Sequence, residues 1–165
     1  MRRERGPYRY RRLQLLEGFS KDAYKAARKP RGAVLCPRCG ALYRRGRWSW
    51  DAAPAVVTRQ RCPACRRIEE RYASSYVSLA GAFYRAHREE ILGRLRNCEA
   101  REKAEHPMER IVGIEQRAGG ATVSTTSPHL ARVLAHALRE SFKGELELSY
   151  HKRESLQRAR WSRTD

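Results

Sequence analysis

The 165-residue sequence has no long apolar run and none of the common nucleotide-binding or nucleophile motifs. No stretch of about 18 apolar residues is present, which excludes a membrane-spanning helix. The opening residues, MRRERGPYRYRR, lack the apolar stretch of a secretory signal. There is no Walker loop, GxSxG, HExxH or Rossmann glycine pattern. We therefore expect a cytoplasmic protein that is not an enzyme and has neither a membrane partner nor a small-molecule substrate.

Acidic residues are scarce relative to basic ones. The chain has 18 Asp and Glu against 36 Lys and Arg, and its net charge is +18 at pH 7. Most of these cations are arginine, whose planar guanidinium makes bidentate phosphate contacts and stacks on bases. A polyanion is the expected partner of such a chain, and the arginine content favours nucleic acid over a membrane surface.

Only five cysteines are present, and four of them form two Cys-x-x-Cys pairs. Cys36 with Cys39 and Cys62 with Cys65 have the spacing by which two knuckles surround one tetrahedral Zn²⁺. The sequence around them has too little apolar content to fold by packing alone, and a structural zinc supplies about 10 to 16 kcal/mol to a folded state. We predict one structural zinc ion, and we expect Cys98 to be a core residue of a helix.

A redox role for the same cysteines is the alternative. A single CPxC sequence also resembles the dithiol of glutaredoxin-type proteins. Two copies without a flanking thioredoxin fold argue against it, although a thiol-redox switch or metal sensor stays open. A catalytic zinc is disfavoured because four cysteines leave no open coordination position.

Composition and periodicity predict an α+β protein with several segments. Residues 1–32 carry eleven Lys and Arg against three acids and predict a basic, flexible arm. Residues 33–75 predict a small four-cysteine zinc module of the zinc-ribbon or treble-clef type. Residues 76–151 predict an α-β-β-α-β-β domain, an antiparallel sheet with helices on one face, completed by a strand at 156–161. Residues 152–165 form a basic C-terminal end.

Individual elements follow from local signals. A helix is expected directly after Cys65, and YVSLAG is expected as a short strand or turn. One helix is predicted from Ala82 to about Glu105. The clearest helix begins with Ser127 as the N-cap and Pro128 at the first helical position.

Arginines alternate with tryptophans in YRRGRWSW, between the two cysteine pairs. Such a ribbon can grip phosphates and stack on unpaired bases. The simpler interpretation is that at least one tryptophan fills the space beside the zinc. The predicted RNA contacts of the module are Arg44, Arg45, Arg47, Trp48, Trp50, Arg59, Arg61, Arg66 and Arg67. Those of the arm are Arg2, Arg3, Arg5, Arg9, Arg11 and Arg12.

The segments CPRCGALYRRGRWSW and CPACRRIEERYASSYVSLAG, within residues 36–80, resemble the nonsense-mediated-decay protein three family and in particular its short bacterial relatives. The shared features are a C-x-x-C-G knuckle, the trio Gly46, Arg47 and Trp48, and a second knuckle that leads into a basic helix and Tyr72. The resemblance implies binding to the ribosome, at the large subunit, through ribosomal RNA. The positions that match the contact region are Arg44, Arg45, Arg47 and Trp48. This chain has one set of four cysteines where long members have two, so the export function of the eukaryotic adaptor is not implied.

The leading hypothesis is a monomeric, non-enzymatic zinc protein that binds rRNA on the ribosome. A hibernation or stability factor, or an assembly factor, would fit the basic arm and the resemblance. A zinc-ribbon DNA-binding regulator is a second hypothesis, against which stands the absence of a helix-turn-helix or dimerising coiled-coil pattern. The thiol-redox or metal sensor is the third.

Overall fold

The computed structural model describes Tyr24, residues 29–150 and residues 157–165. These residues form two sheets and four helices, which confirms the predicted α+β class with a separate cysteine module. The predicted basic arm lies outside the described residues except for Tyr24 and residues 29–32. Within the described parts of the chain, no helix combines the length and apolar character that crossing a membrane requires.

The cysteine module is a four-stranded sheet followed by a short helix. Its strands are β1 (Val34–Leu35), β2 (Leu42–Arg44), β3 (Arg47–Ser49) and β4 (Thr58–Arg59), in the order β3-β2-β1-β4. The β2–β3 turn has positive φ at both central residues, 52° at Arg45 and 87° at Gly46. This is the turn geometry that matches the twist of a two-residue hairpin. Both β1 with β2 and β2 with β3 pair in antiparallel orientation.

Helix α1 (Pro63–Glu69) begins earlier than the sequence pattern predicts. Cys62 is its N-cap, and Pro63 occupies the first turn, where its missing N–H costs nothing. Cys65 therefore lies inside the first turn of the helix rather than before it. This places the second cysteine pair at a helix N-terminus. Of the two predicted module types, zinc ribbon and treble clef, this arrangement is that of a treble clef.

The second sheet has five strands backed by helices. In chain order the elements are β5 (Ser75–Ala80), α2 (Ala82–Ala86), α3 (Arg88–Glu105), β6 (Ile111–Arg117), β7 (Gly120–Thr125), α4 (Pro128–Phe142), β8 (Glu145–Tyr150) and β9 (Gln157–Ser162). The strand order is β6-β7-β5-β9-β8. The strand predicted near 156–161 is thus present and lies inside the sheet.

Two details differ from the sequence prediction, and a third decides between the strand and the turn that the sequence allows for one segment. The sheet is mixed rather than wholly antiparallel, because β9 pairs with β5 in parallel. The segment expected to be a short strand or turn is β5, the central strand. The single helix predicted from Ala82 to Glu105 is broken at His87, whose φ of −115° and ψ of 26° are not helical. Strand pairing over a long sequence distance leaves no local pattern, so neither the parallel pair nor the central position of β5 can be predicted from periodicity.

The hydrophobic core lies between the sheet and the helices. Alternate residues of the central strands face α3 and α4, and the largest fully buried side chain is Trp161 of β9. Its indole N–H donates to the Lys143 carbonyl at 2.7 Å, which satisfies its one polar group. Ser127 caps α4 by accepting from the Leu130 N–H at 3.0 Å, as predicted. Cys98 is buried in this core, also as predicted.

Candidate metal centre

The first cysteine pair lies in a tight turn between β1 and β2. The Cys36 N–H donates to the Ala41 carbonyl, and the Gly40 N–H donates to the Cys36 carbonyl, both at 2.9 Å. These bonds close the knuckle, and they require a φ of 80° at Gly40, which glycine adopts without steric cost. The turn directs Cys36 and Cys39 toward one side.

The second pair is brought beside the first by strand pairing. β4 runs parallel to β1, and the Gln60 N–H donates to the Leu35 carbonyl at 3.1 Å. The chain then enters α1, whose N-cap is Cys62. The pairing thus places the start of the helix next to the knuckle, two residues after the last strand hydrogen bond.

The four Sγ atoms lie within 4.8 Å of one another. The Cys39 and Cys62 sulfurs are 3.7 Å apart, and Zn–S bonds of about 2.3 Å at tetrahedral angles place two sulfurs about 3.8 Å apart. Cys36, Cys62 and Cys65 are buried, whereas Cys39 is partly exposed. The cluster could therefore hold one metal ion in a closed, four-thiolate site.

Hydrogen bonding and burial affect the thiols unequally. Burial opposes ionisation of Cys36, but backbone N–H groups, including that of Cys62 at 3.3 Å, lower its pKa to about 6. Burial raises the pKa of Cys65 to about 11, and it raises the pKa of Cys62 as well. Without a cation, the nearby thiols thus resist simultaneous ionisation. Metal binding would displace these protons, because the thiolate is the ligand.

Arg110 lies against this cluster, and sequence patterns give no signal for it. Its Nη1 is 4.0 Å from the Cys65 Sγ, although 45 residues separate the two in the chain. Only 7% of its surface is exposed. An arginine immediately before a strand is ordinarily a surface residue, so local sequence alone does not predict a buried guanidinium.

The predicted contacts Arg44, Arg45 and Arg47 lie together at the exposed tip of the β2–β3 hairpin. Arg44 and Arg47 are directly paired across the two strands, and Arg45 lies in the turn. Arg59 on β4 is exposed as well. Arg61 is exposed and forms an ion pair with Glu69.

Other predicted contacts differ in placement. Trp48 is half-buried, packs against the cysteine cluster and lies 5.4 Å from the Tyr43 ring, so one tryptophan does fill space beside the site. Trp50 is 38% exposed, and its indole N–H donates to the Lys103 carbonyl at 2.6 Å.

The two arginines that follow Cys65 also differ from each other. Arg66 is partly buried, with its guanidinium 5.3 Å from the Tyr24 ring centroid. Arg67 is 5% exposed, with its guanidinium 4.4 Å from that centroid and 5.4 Å from the centroid of Tyr72. Burial removes Arg67 from the predicted contact set. The arm residues Arg2, Arg3, Arg5, Arg9, Arg11 and Arg12 lie outside the described residues.

Fold and site together define a class, an α+β protein with a four-cysteine cluster that could bind one metal ion. No family model, curated protein or solved structure matches the chain. The resemblance over residues 36–80 therefore stays a prediction.

Proposed function

We propose that the cluster binds one structural Zn²⁺. Four thiolates are a donor set typical of structural zinc sites, and sulfur spacing near the tetrahedral value supports the assignment. Four protein ligands leave no position for substrate, which supports a structural rather than a catalytic role. Native mass spectrometry of the full chain tests the metal and its stoichiometry, since a metal-free folded chain contradicts the assignment.

On this scaffold, the protein binds ribosomal RNA on the ribosome, with the hairpin tip as one contact surface. The observation that carries this proposal is the direct pairing of Arg44 with Arg47, next to Arg45 in the turn. Like charges placed opposite each other destabilise a strand pair. An anionic partner removes that repulsion, and three clustered guanidiniums match closely spaced phosphates.

The surface beside the hairpin supports the same interpretation. A shallow depression of about 400 Å³ is lined by Lys29, Tyr43, Arg44 and Arg45 together with small residues, and its lining contains no acidic side chain. A cationic depression of this kind suits the phosphate groups of a nucleic acid. With a chain charge of +18, the longer-range field also attracts a polyanion.

The family resemblance extends the proposal from RNA to the large ribosomal subunit. A hibernation or stability factor fits best, because a basic arm can follow an RNA-lined path in a ribosome that is not translating. An assembly factor is the related possibility. Neither role requires enzyme activity, and we propose none.

Sucrose-gradient sedimentation of lysates from growing and starved cells of the native host tests this proposal. The wild type is expected with large subunits or vacant monosomes, and R44A/R45A/R47A is expected to shift toward the top of the gradient. The matched control R85A/R96A/R101A removes the same charge from exposed positions on α2 and α3 and is expected to sediment like the wild type. Recovery of both variants at wild-type levels contradicts the hairpin surface.

The outcomes also separate the other hypotheses. Equal recovery of the protein from polysomes and vacant particles contradicts the hibernation role while keeping ribosome binding. Wild-type protein that remains at the top of every gradient contradicts ribosome binding. In that case a specific duplex that resists heparin competition would indicate the DNA-binding regulator, and zinc loss with disulfide formation under mild peroxide would indicate the redox sensor.

A further inference from the structure

Arg110 is held rigidly at the junction between the two sheets. Its backbone N–H donates to Thr126 Oγ1, and its Nε donates to the Pro107 carbonyl, both at 2.9 Å. The Trp50 ring lies 5.7 Å from its guanidinium. These contacts direct the guanidinium away from solvent and toward the cysteine cluster.

The guanidinium is incompletely satisfied by the protein itself. Nη1 has only the long 4.0 Å contact with the Cys65 Sγ, and Nη2 is buried without a hydrogen-bond partner among the described residues. A buried cation of this kind needs a compensating negative charge close by.

An occupied metal centre provides that charge. One divalent cation with four thiolates has a net charge of −2, and the buried guanidinium lies beside that charge. Because the thiolate is the metal ligand, metal binding leaves all four sulfurs deprotonated and thereby fixes this negative charge. Arg110 immediately precedes β6, and Cys65 lies in α1. Attraction between the two therefore joins the cysteine module to the five-stranded sheet.

We propose that Arg110 is a positioning residue for the metal-loaded centre. Its positive charge compensates the negative charge of that centre, and this attraction holds the cysteine module against the five-stranded sheet. Metal loss reduces the negative charge beside the guanidinium and weakens this contact. The inference rests on the zinc proposal above and is independent of ribosome binding. Groups around metal ligands commonly change metal affinity by about 10-fold to 100-fold when altered.

The test compares R110M, R110K and the control R101M, which removes an exposed arginine from α3. We measure zinc release from the full-length proteins to an excess of chromogenic chelator. R110M is expected to release zinc about 10-fold to 100-fold faster than the wild type, R101M at the wild-type rate, and R110K at a rate between them because it keeps the charge. Release from R110M at the wild-type rate overturns the proposal.

A spectroscopic measurement separates charge compensation from general loosening. In the Co²⁺-substituted proteins, the thiolate-to-metal charge-transfer band is expected to shift in R110M and to remain unchanged in R101M. If R110M does not fold, hydrogen exchange of the wild type decides. Chelation should then accelerate exchange across residues 107–111, and unchanged exchange there would refute the coupling.

Native mass spectrometry keeps this result distinct from the zinc assignment. A wild-type chain that folds without metal overturns the zinc proposal itself. If the wild type binds zinc and R110M releases zinc at the wild-type rate, only the role of Arg110 is overturned.

Discussion

Removal of zinc from the full-length chain should unfold the cysteine module and leave the five-stranded sheet intact. The buried cluster around the site consists of Cys36, Cys62 and Cys65 with two alanines, so most of its members are the ligands themselves. The five-stranded sheet has a separate, larger core that includes Trp161 and Leu134. The two cores therefore depend on the metal to different extents.

The magnitude follows from what the module buries apart from its ligands. Val34, Leu42 and Tyr43 are its larger buried side chains, and each contributes about 1.5 to 3 kcal/mol. Their sum is smaller than the contribution of about 10 to 16 kcal/mol from a structural zinc. Packing alone cannot replace the metal, and the module should lose its ordered state when the zinc is removed.

Hydrogen exchange with mass spectrometry on the zinc-loaded and chelated chain provides the assay. On chelation, amides of β2, β3 and α1 should lose protection, whereas those of β5 and β7 should keep it. Cys62→Ser should reproduce this pattern without chelator, and Cys98→Ala, which changes a core cysteine outside the site, should retain zinc. This reasoning is refuted if the module keeps its protection when metal analysis shows that zinc removal is complete. Simultaneous unfolding of both sheets would refute it as well.

If the protein contacts about six phosphates of the RNA, the logarithm of its association constant should fall with the logarithm of the salt concentration at a slope of about −4 to −5. R44A/R45A/R47A should reduce the magnitude of this slope by about 2 to 3. Titration of an rRNA fragment measures both, and a flat wild-type dependence contradicts the electrostatic account. Trp161→Ala should lower the free energy of unfolding in urea by about 3 to 5 kcal/mol because the ring is fully buried. A loss below about 1 kcal/mol would contradict this place in the core. Ser127→Ala should cost about 1 kcal/mol through the lost N-cap, with zinc content unchanged, and an unaltered urea midpoint would contradict the cap.

Local signals in the sequence predict those parts of the molecule that depend on neighbouring residues. Ser127 and Pro128 mark the start of α4 because a capping hydroxyl and a preset proline φ act within one turn. The two Cys-x-x-Cys pairs predict their own convergence because the geometry of each knuckle is local, and metal coordination defines how the two pairs meet.

Features that depend on distant residues are not predicted. Arg110 and Cys65 approach each other only after both sheets have formed, and Arg67 becomes buried only when Tyr24 and Tyr72 stack near it. Trp161 lies in the strand predicted near 156–161, but its burial in the core depends on the parallel pairing of β9 with β5, which is not predicted. In each case burial depends on a partner that is remote in sequence.

The parallel pair of β5 and β9 has a consequence for synthesis of the chain. Val77 is paired with Ala159, so about 80 residues must be translated after β5 before its neighbour exists. β6 and β7 emerge sooner, and β7 can pair with one side of β5 while β6 pairs with β7. Until β9 arrives, the other side of β5 presents unpaired N–H and C=O groups to any extended chain nearby. The nascent chain therefore stays exposed to aggregation until residues 157–162 leave the ribosomal tunnel, long after β5 has left it.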